Sequence, residues 1–234
     1  MYKLKSKWRF VLILIMGSFV SNSVCSQINY QIWINESWNS TPLLSTNFTV
    51  DGSPFIPDKF YKATVFLKDG KFYENQLVKL YLPENMVLFL GRNQKEMITT
   101  DPIFKVMYTD AEHDVLGMVF ESGFEATGKL TSKTFYQVLE TGKAKLLKHI
   151  IVDFMDQKGQ PETLITRYYT QKNTYYISIN KTAPLKLEKG KEGIIKLLSD
   201  KKNQIEKYIS DNKLKCKSDE DWKLIVNYYN SLID

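Results

Sequence analysis

The chemistry this chain could carry starts with its two histidines. His113 lies in Asp110-Ala111-Glu112-His113-Asp114, where an imidazole and three carboxylates supply the donor types of a cation site. Such a cluster between apolar runs also reads as a solvated turn, because Asp side chains bond their own backbone, and the turn is the reading favoured here. His149 sits between Lys148 and Ile150 in an apolar run, with no second ligand at metal spacing. No His-x-x-x-His, Cys-x-x-Cys, Gly-x-Ser-x-Gly, phosphate-loop, dinucleotide or calcium-loop motif occurs.

Carboxylate pairs need no local motif, since their two acids come from distant positions. The acids that fall within predicted strands are Glu74, Glu121, Glu140 and Asp153, the material for a hydrolase of glycan or peptide. Exposed sheet faces carry such residues without function. A serine or metal hydrolase lacks the required histidine partners. No catalytic, cofactor-binding or metal-binding residue is therefore assigned, and the chain is read as a non-enzyme. Aromatic residues are abundant instead. Tyr168-Tyr169, Tyr175-Tyr176 and Tyr228-Tyr229 are adjacent pairs, the first two expected on neighbouring strands joined by a turn at Lys172-Asn173. Facing tyrosines stabilise a sheet, and an exposed set could stack a sugar or peptide.

The elements that position these residues follow an export signal. Lys3, Lys5, Lys7 and Arg9 precede an apolar core from Phe10 to Val20, and Ser21–Ser26 is small and polar. That core is about half of the ~20 residues a membrane span needs, so residues 1–26 read as a signal peptide cut after Ser26. Lipidation at Cys25 is the rival reading, disfavoured because Val24 rather than a small residue precedes the cysteine. Without this segment 28 basic and 26 acidic side chains remain, a net +2, which is no electrostatic footprint for nucleic acid. No transmembrane span is expected in the mature chain. Cys216 would then be its sole cysteine, so no internal disulfide can form. Lys213, Lys215 and Lys217 could lower its thiol pKa, but without a neighbouring base a packed side chain under the C-terminal helices is the better reading.

Residues 27–50 are rich in Asn, Ser and Thr and read as a loosely ordered lead-in that adds at most one edge strand. Asn35, Asn39, Asn47 and Asn180 each open an Asn-x-Ser/Thr triplet. Residues 51–234 read as one domain. Phe60–Lys68 alternates in β fashion into Asp69-Gly70, a two-residue hairpin signal, and returns over Lys71–Leu82. Further strands are predicted at Met86–Leu90, Ile103–Tyr108, Val115–Phe120, Thr134–Glu140, Lys145–Phe154, Leu164–Thr170, Thr174–Ile179 and Leu185–Leu187, with turn residues between them. After Gly190 the period becomes helical, broken near Ser199-Asp200. Ser218 then caps a helix whose Trp222, Ile225, Val226 and Tyr229 share one face. The fold class is mainly β, an antiparallel meander forming a curved sheet or half-barrel, capped by two or three C-terminal α-helices over residues 191–234.

The stretches Asp51–Phe55 and Lys62–Gly70, with Leu198–Lys202, Ile205–Ile209 and the ending Tyr228-Tyr229-Asn230-Ser231-Leu232, resemble a family of uncharacterised exported bacterial proteins. The resemblance implies a Gram-negative envelope location and a β-rich body with a helical tail, and it carries over no functional residue. The expected function is an exported, non-enzymatic envelope protein that binds an envelope protein or a small apolar ligand in the periplasm. A carboxylate-dependent hydrolase and a purely structural envelope component are the alternatives. Mass spectrometry of the exported protein should find a chain beginning at Gln27. An intact Met1 or an acylated Cys25 would count against that cut.

Overall fold

The computed structural model describes residues 48–91, 94–98, 101–159 and 165–233. The segment expected to be a signal, most of the lead-in with three of the four Asn triplets, and the expected turn residues Gln160-Pro161 lie outside them.

Among the described residues eleven strands form one mixed, unclosed sheet: β1 (Phe48–Asp51), β2 (Phe55–Leu67), β3 (Phe72–Tyr81), β4 (Met86–Leu90), β5 (Glu96–Ile98), β6 (Ile103–Tyr108), β7 (Val119–Glu121), β8 (Tyr136–Glu140), β9 (Ala144–Lys158), β10 (Ile165–Ile179) and β11 (Leu185–Leu187). Their order is β1-β10-β9-β8-β7-β6-β2-β3-β4-β5, with β11 also beside β10. Two antiparallel meanders therefore meet at the β2–β6 pair. β1 runs parallel to β10, Phe48 opposite Ile165 through Asp51 opposite Tyr168, so the sheet is mixed rather than wholly antiparallel. The lead-in does end in an edge strand.

Alternation decides which side faces in. Ala63, Val65 and Leu67 on β2, Val78 and Leu80 on β3, Val87 and Phe89 on β4, and Val106 and Tyr108 on β6 all enter one core. Ile150 of β9 enters the same core, with Val152 packed against it. In a flat sheet five strand steps, roughly 24 Å at ~4.8 Å each, would separate β9 from β3. The sheet must curl until its halves meet. A bond from the Phe135 N–H to the Asn85 side-chain oxygen at 3.0 Å ties the halves at the start of β8.

Helices α1 (Lys191–Leu197), α2 (Lys202–Asp211) and α3 (Asp219–Ile233) cover the near end of β9 and β10. Trp222, Ile225, Val226 and Tyr229 of α3 pack with Ala144, Leu146 and Ile177 of the sheet and with Ile194, Leu198, Ile205 and Ile209. A 3-10 turn at Ser199–Lys201 breaks the first helical stretch where expected. The Ser218 hydroxyl accepts the Asp221 N–H at 3.2 Å, while the Asp221 carboxylate accepts the Lys217 N–H at 3.4 Å. No helix among the described residues is long and apolar enough to cross a membrane.

Several local expectations are corrected. The hairpin after β2 has a three-residue loop: Gly70 donates to the Leu67 carbonyl (3.2 Å), Leu67 donates to Lys71 (2.8 Å), and Gly70 takes the positive φ of +89°. Only Val119 and Phe120 of the Val115–Phe120 run are strand, continuing to Glu121, although Val115 is buried. Glu96–Ile98 is a strand that its short, charged sequence does not announce. There is no turn at Lys172-Asn173. These residues pair with Ile151 and Ile150 inside a ladder that runs unbroken from Ile165–Lys158 to Ile179–Ala144, because β9 offers a partner for every residue of β10.

One buried amide side chain makes three of the bonds that fasten the C-terminal helix. Buried Asn230 accepts the Ala144 N–H at 2.8 Å and donates to the carbonyls of Ala144 (2.9 Å) and Thr141 (3.1 Å). Gly142 passes so close that a Cβ there would lie 2.3 Å from the Asn230 amide nitrogen, with φ at +144°. Asn230→Leu leaves the buried Ala144 amide without a partner, a cost of roughly 1–3 kcal/mol. Thermal melts should fall by about 2–12 °C, at ~2–4 °C per kcal/mol. Gly142→Ala should be at least as damaging, and a wild-type melting curve for both variants would refute the clamp.

Candidate functional site

The turn cluster braces a loop. The Asp110 carboxylate accepts the N–H groups of Glu112 (3.2 Å) and Lys62 (3.5 Å) and bonds Nδ1 of His113 at 3.0 Å. The His113 ring beside Asp110 holds that carboxyl below its ordinary range. His113 itself is exposed, edge-on to Tyr61 at 4.8 Å. Among the described residues no three His, Cys, Asp or Glu side chains converge as metal ligands.

The four strand acids lie on separate strands or strand ends. Glu121 takes the Lys145 ammonium, and Glu140 accepts the Thr141 N–H (3.3 Å) and the Asn227 amide (3.5 Å). Glu74 and Asp153 are exposed, on β3 and β9. A shallow depression of about 390 Å³ is lined by Gly142, Lys143, Lys145, Asn180 and Lys181, with no carboxylate among its walls. Its Lys143 ammonium donates to the Ile233 carbonyl and its Lys145 ammonium to Glu121, so two of its three cations are engaged by the fold.

Gly123 to Lys129 has the Gly-x-x-x-x-Gly-Lys spacing of a phosphate loop, but Leu130 stands where that motif needs Ser or Thr. No helix follows it. Thr127 and Leu130 exchange backbone bonds of 3.0 and 2.9 Å in a tight turn, and Phe124 is buried against Tyr136. This segment closes a small core on the reverse face of the sheet, made of Phe124, Tyr136, Val138 and Leu147.

The tyrosine pairs sit differently from expectation, because Tyr168-Tyr169 and Tyr175-Tyr176 share the single strand β10. Tyr175 packs on Trp222 at 4.4 Å, Tyr176 lies edge-on to Tyr136 at 5.7 Å, and Tyr208 stacks flat on Tyr228 at 4.1 Å. Buried Tyr229 donates to Asp200 at 3.0 Å, and burial pushes its pKa up to about 12. Cys216 is fully buried among the helices, where burial raises the thiol pKa despite the neighbouring lysines. It is the packed side chain of the better reading.

Comparison with protein-family models, with curated proteins and with solved structures finds no match.

The surface left without backing is the far half of the β9–β10 hairpin. Asp153–Lys158 is exposed throughout, about 20 Å of strand at ~3.3 Å per residue. Three large apolar side chains stand in solvent there: Val50 (42%), Phe154 (57%) and Met155 (65%). One face is stiffened. Arg167 and Asp156 are cross-strand partners joined by bonds of 2.7 and 2.8 Å, and the guanidinium lies 4.0 Å over the Phe154 ring. Phe154 in turn faces Tyr169 at 6.1 Å. Met155 points to the opposite face, paired with Tyr168. The sequence contains these residues in a plain β run; what it hides is where the core stops.

The fold also takes the His149 ring partly out of water. Its Nδ1 is buried with no hydrogen-bond partner among the described residues, and the ring lies 5.6 Å from Tyr136. Burial pushes its pKa below the ordinary histidine value. The folded protein then keeps the ring neutral at pH values where an unfolded chain already binds a proton. Stability from this site is complete above about pH 6.5 and is lost as pH falls through that value toward the lower folded-state pKa. Melting temperature should therefore decline between about pH 7.5 and 5.5, with His149→Gln flattening the slope. An unchanged slope in that variant would exclude His149 as the cause.

Proposed function

We propose that the protein is an exported, non-enzymatic binding module of the cell envelope that meets a protein partner through the β9–β10 arm. The observation that carries this reading is the exposure of Val50, Phe154 and Met155 on strands that have left the core, held in place by a rigid Arg167–Asp156 pair. Exposed apolar groups on an ordered scaffold favour association with another surface. A protein partner is preferred to a small apolar ligand because the hollow of the curved sheet is filled by its own side chains, including fully buried Tyr108, Phe120 and Leu80. The export part of the reading rests on the N-terminal signal and on the likeness to exported bacterial proteins.

The test places a photo-crosslinking amino acid at Met155 and, as a control, at Leu116, which is equally exposed but on the loop before β7. In the native host, position 155 should yield a discrete adduct that Tyr168→Ser, its cross-strand neighbour on the same face, abolishes while the melting curve stays that of the parent. Equal, diffuse labelling from both positions would remove the arm as the binding surface.

A further inference from the structure

The open backbone of β10 adds a more specific surface to this arm. β10 is paired with β9 over its whole length. Its other edge is shared by two short strands, β1 opposite Ile165–Tyr168 and β11 opposite Tyr175–Ile177. At Gly52 the chain leaves this edge: φ is +80°, and a Cβ there would lie 2.8 Å from the Tyr169 carbonyl oxygen. From Thr170 to Thr174 no strand occupies the edge among the described residues, and none of the backbone bonds made outside the ladders reaches it.

A strand edge presents a row of unpaired N–H and C=O groups that will pair with any extended chain. Proteins blunt such edges with proline, bulges or charge. Thr170-Gln171-Lys172-Asn173-Thr174 contains no proline, and its register with β9 has no bulge. Gln171, Lys172 and Asn173 are exposed, and Lys172 is the segment's single charge. The opening is about 17 Å long at ~3.3 Å per residue and is closed at both ends. A second copy of this chain cannot enter it with its own β10, which is 15 residues long. An apolar small molecule would leave the backbone groups unmet. A short extended peptide satisfies both limits.

We infer that the Thr170–Thr174 edge is a docking slot for a short extended segment of a partner protein, added as a strand between β1 and β11, with an acidic residue opposite Lys172. The mode is strand addition, in which main-chain bonds supply affinity and flanking side chains supply choice. Asp153, paired with Thr170 on the far side of β10, lies one strand further from the incoming acid than Lys172 does. This inference rests on the partner-binding role proposed above and names the site of contact.

The test is amide exchange followed by NMR on the full exported chain. The probe is the capped pentapeptide Thr-Val-Glu-Val-Thr, and the control is its backbone N-methylated form. In the free protein the outward-facing amides of residues 170–174 should exchange about ten-fold faster than those of residues 175–177. Millimolar probe should slow them by about ten-fold, and the N-methylated control should leave them unchanged. Lys172→Glu should transfer the preference to a peptide with Lys at its centre. Slot amides already slow in the free protein, slowing by both peptides alike, or an unaltered preference in Lys172→Glu would each overturn the slot. The crosslink from Met155 reads the arm separately. An adduct there with a silent slot keeps the partner role and discards this contact.

Discussion

The uninterrupted pairing of β9 with β10 is the constraint on which the rest of the molecule depends. Fifteen residues on each strand meet in one register with no bulge, so the parity of every side chain is fixed from Ala144 to Lys158. Even-numbered residues of β9 then serve two cores. Ala144 and Leu146 lie beneath the helices, and Ile150 joins the interior of the curved half. Between them Lys148 reaches Asp219 at the start of α3 with a bond of 2.9 Å. A one-residue slip would bring Lys145, Leu147 and His149 to the inner side and dissolve both cores together.

The same ladder explains why the molecule has two unlike ends. Near the helices each strand is covered on both faces, by α3 on one side and by the Phe124 segment on the other. Beyond Val152 neither covering extends, yet the backbone bonds continue. Strand pairing alone is marginal in water, and a two-stranded ribbon needs additional support. Here β1 supplies a third strand and the Arg167–Asp156–Phe154 group supplies side-chain stiffness. Order without burial is the physical character of the arm.

Much of the architecture could be read from residue patterns. Ala63, Val65 and Leu67 alternate onto the core face as their spacing requires, and Trp222, Ile225, Val226 and Tyr229 form the stripe that α3 buries. The failures share a cause, which is that pairing is not local. Lys172-Asn173 resembles a turn because it is polar and flanked by β runs, but its polarity reflects solvent on an unbacked strand. The parallel seating of β1 depends on residues more than a hundred positions away. Lys79 points to the reverse face, as alternation between Val78 and Leu80 requires, yet it is buried there, with its ammonium 3.9 Å from the Phe55 ring, 4.4 Å from Phe60 and 2.8 Å from Glu96. The candidate surface was less legible than the fold. Val50, Phe154 and Met155 look like core residues in sequence, and only the position of the helices shows that they are not.

The clamp between Asn230 and the Thr141–Ala144 turn has a temporal meaning. The groups it joins are 86 positions apart. A polypeptide can close that bond only after all the intervening positions have been made and brought back to the sheet, so the near end of the sheet is finished later than the turn it holds. Late closure of this kind leaves the helical end as a part of the molecule whose order depends on a distant contact.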